Sequence, residues 1–377
     1  MRYISQLALQ DLETKMVFIA GPRQCGKTTL AKDILDQRFG GSGIYLNWDN
    51  AKHRKLTLAQ GWTDDQKLIV FDELHKYKRW KGWLKGIYDV EHDKHAFIVT
   101  GSARLDIYRR GGDSMLGRYH LWHLHPFTLD EYPENMSAEE AFRRLMEFGG
   151  FPEPFIKADR RFANRWRRER FERLLTEDIR DLENVREISL IGLFADALKS
   201  RVSQPIALAN VASDLEISPK TAKSWLALLE RMYLGFSVYP FAPKNVARAL
   251  IKQPKFFFFD NGDVESDIGA KFENLVACHL LKRLQFVSDS EGERNELRYL
   301  KDKDKREVDF VVLRDRKVDE LIEVKYADST ISKSLIAYTK LLKPRLATQI
   351  VCQLDRPYTK DGIRVMSALD YFSNKVW

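Results

Sequence analysis

The chain has 377 residues, 62 Lys+Arg against 54 Asp+Glu for a formal charge of +8, and 44% hydrophobic and 12% aromatic residues. That is too apolar for a disordered polymer and, at about 150 residues per domain, long enough for two or three cores. Only three cysteines, no apolar run near the ~18 residues of a membrane span and no signal-like start argue against a disulfide-stapled secreted or membrane protein. The expectation is a cytoplasmic protein whose modest basic excess permits a nucleic-acid partner.

The apolar runs Met16–Ala20, Ile44–Trp48, Leu68–Phe71, Phe97–Thr100 and Tyr119–Phe127 alternate with helical stretches. This predicts a five-stranded parallel α/β domain over residues 1–135. Directly after the first run, Gly21-Pro22-Arg23-Gln24-Cys25-Gly26-Lys27-Thr28, continued by Thr29, fits G-x-x-x-x-G-K-[ST] between a strand and a helix. Backbone N–H groups of such a loop fold around phosphate oxygens at a helix N-terminus. Lys27 would reach the β- and γ-phosphates, and the Thr28 hydroxyl would bind Mg²⁺.

The run Leu68–Phe71 ends in Asp72-Glu73, placing Asp72 to hold magnesium through its water shell and Glu73 to polarise an attacking water. Trp80, Trp83 and Ile87 follow at helical spacing and are expected to pack on the sheet. At the tip of the fourth strand, Ser102 either senses the γ-phosphate or caps the next helix. Arg109, Arg110 and Arg118 precede the last strand; Arg118 is the choice for an arginine completing a neighbour's active site, and a solvated basic loop is the other reading.

GPRQCGKTT, LIVFDEL and IVTGSA in this order resemble the AAA+ superfamily of ATPases over residues 1–135. The resemblance implies ATP with Mg²⁺ and action as a homo-oligomer.

Residues 136–245 turn helical. Arg160–Arg173 carries seven arginines with Phe162, Trp166 and Phe171 interleaved, predicting buried aromatics and an exposed basic face. Ile206–Leu215 and Pro219–Leu234 read as helix, turn, helix, with Ser218 as cap and Pro219 in the first turn. Lys220, Thr221, Lys223 and Ser224 stand where a recognition helix meets DNA, and the run to Tyr239 would supply the strand of a wing.

Strands return in residues 246–377 at Phe256–Phe259, Glu296–Tyr299, Val308–Leu313, Glu320–Tyr326 and Gln349–Gln353, with helices over Phe272–Leu284 and Ser332–Leu341. Strand alternation projects Glu307 with Asp309, and Glu323 with Lys325. Paired as a hairpin, these groups would converge on a spot sized for a divalent ion, with the lysine near the reacting phosphate. Asp309 with Glu323-x-Lys325 resembles the PD-(D/E)xK nuclease signature, which implies Glu273 as an additional helical carboxylate. Asp309, Glu323 and Glu273 are thus the expected metal ligands.

Together with FGGFPEP, LLTEDIRDL and KFFFFDNGD, these motifs resemble a large family of bacterial and archaeal AAA+ proteins. Their architecture is a winged-helix middle followed by a restriction-endonuclease-like domain. That family usually has leucine where this chain has Asp263. The expected protein hydrolyses ATP and associates with DNA through a nuclease-like C-terminal domain. The alternative is an ATP-gated regulatory protein whose nuclease-like domain is catalytically silent.

Overall fold

The computed structural model describes residues 2–101, 115–179, 185–242 and 253–372. They form two compact units that divide in the chain at Pro126 and Phe127.

The first unit runs α1 (Ser5–Asp11), β1 (Met16–Ala20), α2 (Lys27–Arg38), β2 (Gly43–Asn47), α3 (Ala51–Ala59), β3 (Leu68–Asp72), α4 (Trp80–Glu91), β4 (Ala96–Thr100), β5 (Tyr119–His123). All strands are parallel, in the order β2-β3-β4-β1-β5. β1 and β3 are buried along their whole length, so they read as unbroken apolar runs. Trp80, Leu84 and Ile87 of α4 bury against this sheet, and Trp83 meets the Phe71 ring edge-on. The last strand stops at His123, short of the expected Phe127. The Leu124 N–H still reaches the Ala20 carbonyl at 2.8 Å, but Pro126 has no N–H to continue a ladder. Because the strands are parallel, the ends of β1, β3 and β4 and the loop after β1 share one edge.

The second unit begins with α5 (Ala138–Phe148), α6 (Pro152–Lys157), α7 (Arg160–Arg173), α8 (Val185–Lys199), α9 (Leu208–Asp214) and α10 (Pro219–Arg231). β6 (Gly235–Pro240), β7 (Lys255–Phe258), α11 (Ile268–Glu291), β8 (Asn295–Lys301), β9 (Glu307–Arg314) and β10 (Lys317–Lys325) follow. α12 (Lys333–Leu342), β11 (Leu346–Val351), β12 (Tyr358–Lys360), β13 (Ile363–Ser367) and α13 (Ala368–Phe372) complete it. The mixed sheet has the order β12-β13-β11-β10-β9-β8-β6-β7. β6 pairs antiparallel with β7 and bridges β8, so the boundary expected at 245/246 falls inside one sheet.

In α10, Ala222, Trp225, Leu226 and Leu229 are buried while Lys220, Lys223 and Ser224 are exposed. Ser218 accepts the Thr221 N–H at 3.0 Å, capping the helix behind Pro219. α7 departs from the expected all-outward basic face. Arg161, Arg165, Arg168 and Arg173 are exposed. Arg167 turns inward to Asp260 (3.1 Å) and Arg170 to Asp263 (2.7 Å), with the Arg170 guanidinium 4.3 Å from the Phe151 ring centre. Asp263 therefore has a partner that leucine could not offer; burial raises its pKa to about 6 although Arg170 opposes the shift.

Candidate functional sites: a nucleotide loop and a carboxylate cluster

The first site is built on the shared edge of the parallel sheet. Gly21 (φ +145°) passes so close to the Leu124 carbonyl that a Cβ would collide with it, and Gly26 (φ +101°) turns the chain into α2. Between them Pro22 and Cys25 are buried and Gln24 is exposed. The Cys25 thiol lies 3.3 Å from the Leu124 carbonyl, and the Arg2 guanidinium donates to the Cys25 and His125 carbonyls at 2.7 and 2.6 Å. The loop is thus braced from outside by Arg2 and the Leu124 carbonyl.

Lys27 folds back over the loop, donating to the carbonyls of Gly21 (3.0 Å) and Pro22 (2.7 Å). As the second residue of α2, Thr28 donates its hydroxyl to Asp72 Oδ2 at 2.9 Å, while Thr29 is exposed. Asp72 is 3% exposed and also accepts from the hydroxyls of Tyr45 and Thr100 and from Asn47 Nδ2 at 3.4 Å. Among the described residues no ammonium or guanidinium pairs with it.

Glu73 leaves the strand in a left-handed conformation (φ +58°) and starts a short 3₁₀ turn. Burial raises its pKa, against the pull of Lys27, Lys76 and Arg23. Its Oε2 has no hydrogen-bond partner, with His75 Nε2 3.6 Å and Lys76 Nζ 3.7 Å away. Tyr45, Asn47 and Thr100 are site residues the sequence reading missed. They sit in register beside Asp72, Asn47 and Thr100 as its direct strand neighbours. The ends of the expected strands would have identified them once the strand order was known.

Arg118 lies before β5, whose first residue pairs with Met16 at the start of β1, on the edge opposite the loop. Its guanidinium grips Asp89 of α4 at 2.5 and 3.1 Å, so it takes no part in this chain's own nucleotide site. Ser102, Arg109 and Arg110 lie outside the described residues.

The second site is in the C-terminal sheet. β9 and β10 do pair as an antiparallel hairpin, and continuing the Phe310–Ile322 register brings Asp309 opposite Glu323. Asp309 Oδ2 accepts the Val324 N–H at 2.8 Å. Lys325 Nζ is 2.8 Å from Glu323 Oε1, and the Glu323 carboxyl also has the Ser332 hydroxyl beside it.

The structure adds a residue that the sequence reading passed over. Lys255, the first residue of β7, is 0% exposed and points its ammonium group into the cluster. Nζ lies 2.7 Å from Glu307 Oε1, 3.0 Å from Glu273 Oε1 and 3.6 Å from Asp309 Oδ1, and 5.3 Å from the Tyr299 ring centre. The second oxygen of Glu307 is held by Lys301 at 2.5 Å.

Burial alone would lower the Lys255 pKa, but Glu273, Asp309 and Glu307 together hold it well above the ordinary lysine value. Burial raises Glu273 to about 8 and Glu323 to about 7, Asp309 adding to both. The residues expected to hold a divalent ion, Glu273, Asp309 and Glu323, are thus joined by a buried ammonium group. A lysine ammonium fills the space between Glu273 and Asp309, and among the described residues no group of three or more His, Cys, Asp or Glu is arranged to hold a metal. The only sequence signal was a lone lysine before Phe256–Phe259, indistinguishable from a strand-end charge without the topology.

Comparison with known families places an AAA domain at residues 13–133, so the first unit carries an AAA domain of the nucleotide-binding kind. Residues 139–271 and 268–371 match two domains of unknown function, DUF8612 and DUF4143. An uncharacterized protein of Methanocaldococcus jannaschii is 23% identical over 89% of this chain and 81% of its own length. An uncharacterized protein of Mycobacterium tuberculosis is 24% identical over 66% of this chain, which spans about half (54%) of that relative. Similar solved structures include the RuvB Holliday junction branch migration motor of Thermotoga maritima (17% identity, TM-score 0.32, 62% of this chain and 88% of that one). AMPPCP-bound DnaA from Aquifex aeolicus is similar at 16% identity and TM-score 0.32, covering 60% of this chain and 86% of that one. Among the described residues no helix is long and apolar enough to cross a membrane.

Proposed function

We propose that the first unit binds and hydrolyses ATP with Mg²⁺. The observation that carries this is the Thr28–Asp72 hydrogen bond beside Lys27 and the unpartnered Glu73 oxygen. The residues fit a nucleotide and its ion. The Gly21–Gly26 turn allows backbone N–H groups to face phosphate, and Lys27 moves its charge from two carbonyls to phosphate oxygens. The Thr28 hydroxyl donates its proton to Asp72, which leaves its lone pairs for a cation. The bound ion supplies positive charge to the phosphates. Glu73 accepts the proton of the attacking water, burial having raised its pKa and so its basicity. ATPase assays on Glu73→Gln test this: ATP binding is retained and turnover falls at least ~10²-fold. Wild-type turnover would remove Glu73 from the role.

We read α9, α10 and the β6–β7 ladder as a winged helix that meets DNA phosphates through Lys220 and Lys223, helped by the exposed arginines of α7. Replacing both lysines by alanine is expected to weaken binding and flatten its logarithmic salt dependence by roughly 1.8, two phosphates at ~0.9 each. Absence of DNA binding at low salt would favour the regulatory reading. The strands bearing Asp309, Glu323 and Lys325, with Glu273 on α11, keep a nuclease-like arrangement. A homo-oligomer is part of the proposal, in which Arg118 serves a neighbour's nucleotide on leaving Asp89.

A further inference from the structure

We infer that the C-terminal carboxylate cluster carries its own cation, the Lys255 ammonium, and takes up no divalent metal. It follows that the centre does not perform metal-dependent phosphodiester cleavage. This goes beyond the ATP and DNA readings and is independent of both.

Mg²⁺ or Mn²⁺ requires carboxylate oxygens at about 2.1 Å in near-octahedral array, with room for several waters. Here Glu273, Glu307 and Asp309 all face one ammonium group at 2.7–3.6 Å, on a side chain with no exposed surface. The second oxygen of Glu307 is occupied by Lys301, and that of Asp309 by the Val324 N–H. An ion on Glu273 and Asp309 would stand close to Nζ, and like charges so near repel strongly in a dry interior.

Three ammonium groups, Lys255, Lys301 and Lys325, stand within 2.5–3.6 Å of the four acids Glu273, Glu307, Asp309 and Glu323. The repulsion among buried carboxylates that made a metal attractive at the level of sequence is met from within the chain. Lys255 cannot withdraw at small cost either. It begins β7, whose next residues Phe256, Phe257 and Phe258 are fully buried, and its Nζ lies over the buried Tyr299 ring.

The test is a Mn²⁺ titration of the full-length, nucleotide-free protein followed by electron paramagnetic resonance. Wild type and Asp309→Asn are expected to give superimposable isotherms, because any weak binding at Asp72 of the first unit is common to both. An additional equivalent of Mn²⁺ in wild type that Asp309→Asn loses would overturn the inference. Lys255→Met, which removes the charge and keeps much of the volume, should gain one Mn²⁺ equivalent that Lys255→Met/Asp309→Asn lacks. A folded Lys255→Met protein that gains none would show that the ammonium is not what keeps the ion out. Should Lys255→Met fail to fold, the wild-type against Asp309→Asn comparison decides alone.

Discussion

Asp72 and the Asp309 cluster are both buried carboxylate sites at strand positions, and they resolve their burial in opposite ways. Asp72 is surrounded by neutral donors: the hydroxyls of Thr28, Tyr45 and Thr100 and the amide of Asn47. These satisfy its lone pairs without supplying a positive charge, which suits the proposed role of Asp72 beside a cation. Glu273, Glu307 and Asp309 are satisfied by an ammonium group that is part of the fold. The ammonium group supplies both hydrogen bonds and positive charge. The acid residues do not separate a binding site from a structural ion cluster; the donors opposite them do.

The comparison can be broken most sharply through stability. Removing one partner of a buried ion network costs about 3–5 kcal/mol, whereas an isosteric amide at a hydroxyl-bonded carboxylate keeps one acceptor. Lys255→Met is therefore expected to lose about 3–5 kcal/mol in urea unfolding of the second unit. Asp72→Asn should leave the unfolding midpoint of the first within about 1 kcal/mol. Equal losses would mean that the two sites are of one kind.

A smaller effect concerns Tyr45, whose phenol is pushed up by burial and by its bond to Asp72. Tyr45→Phe removes one donor from a carboxylate that keeps three, so the apparent Mg²⁺ requirement for ATP hydrolysis should shift two- to ten-fold, the scale of one hydrogen bond of about 0.5–1.5 kcal/mol. An unchanged magnesium dependence would mean Tyr45 does not position Asp72.

The smallest effect is a pH dependence. Glu323 titrates near 7 in the folded protein against 4.5 unfolded, so its contribution is fully present below about pH 4.5 and is lost as pH rises through about 7. Glu323→Gln cannot ionise. Its melting temperature should match wild type at or below about pH 4 and exceed it progressively as pH rises through about 7. A difference that is constant with pH would place the surplus proton elsewhere.

The nucleotide site was largely legible because its motif is local. Gly21 to Thr28 is one loop and Asp72-Glu73 one strand end, each next to the element that positions it. Strand alternation likewise brought Asp309 and Glu323 together correctly, since a hairpin with a tight turn has a short-range register. What escaped was long-range. Lys255 stands 18 residues from Glu273 and more than 50 from Asp309, and meets them only because β7 and α11 pack beside the hairpin's strands. The inward turn of Arg167 and Arg170 escaped for the same reason, as Asp260 and Asp263 are 93 residues away. The spacing of α7 identified the buried Trp166, with Phe162 and Phe171 only half-buried, but not the acids waiting for two of its arginines.

The contrast between the two carboxylate sites is tested most directly by counting Mn²⁺ bound per chain in the presence of a non-hydrolysable ATP analogue. One ion per chain is expected, abolished by Asp72→Asn and untouched by Asp309→Asn. Two ions per chain, or a single ion that disappears with Asp309→Asn, would contradict it.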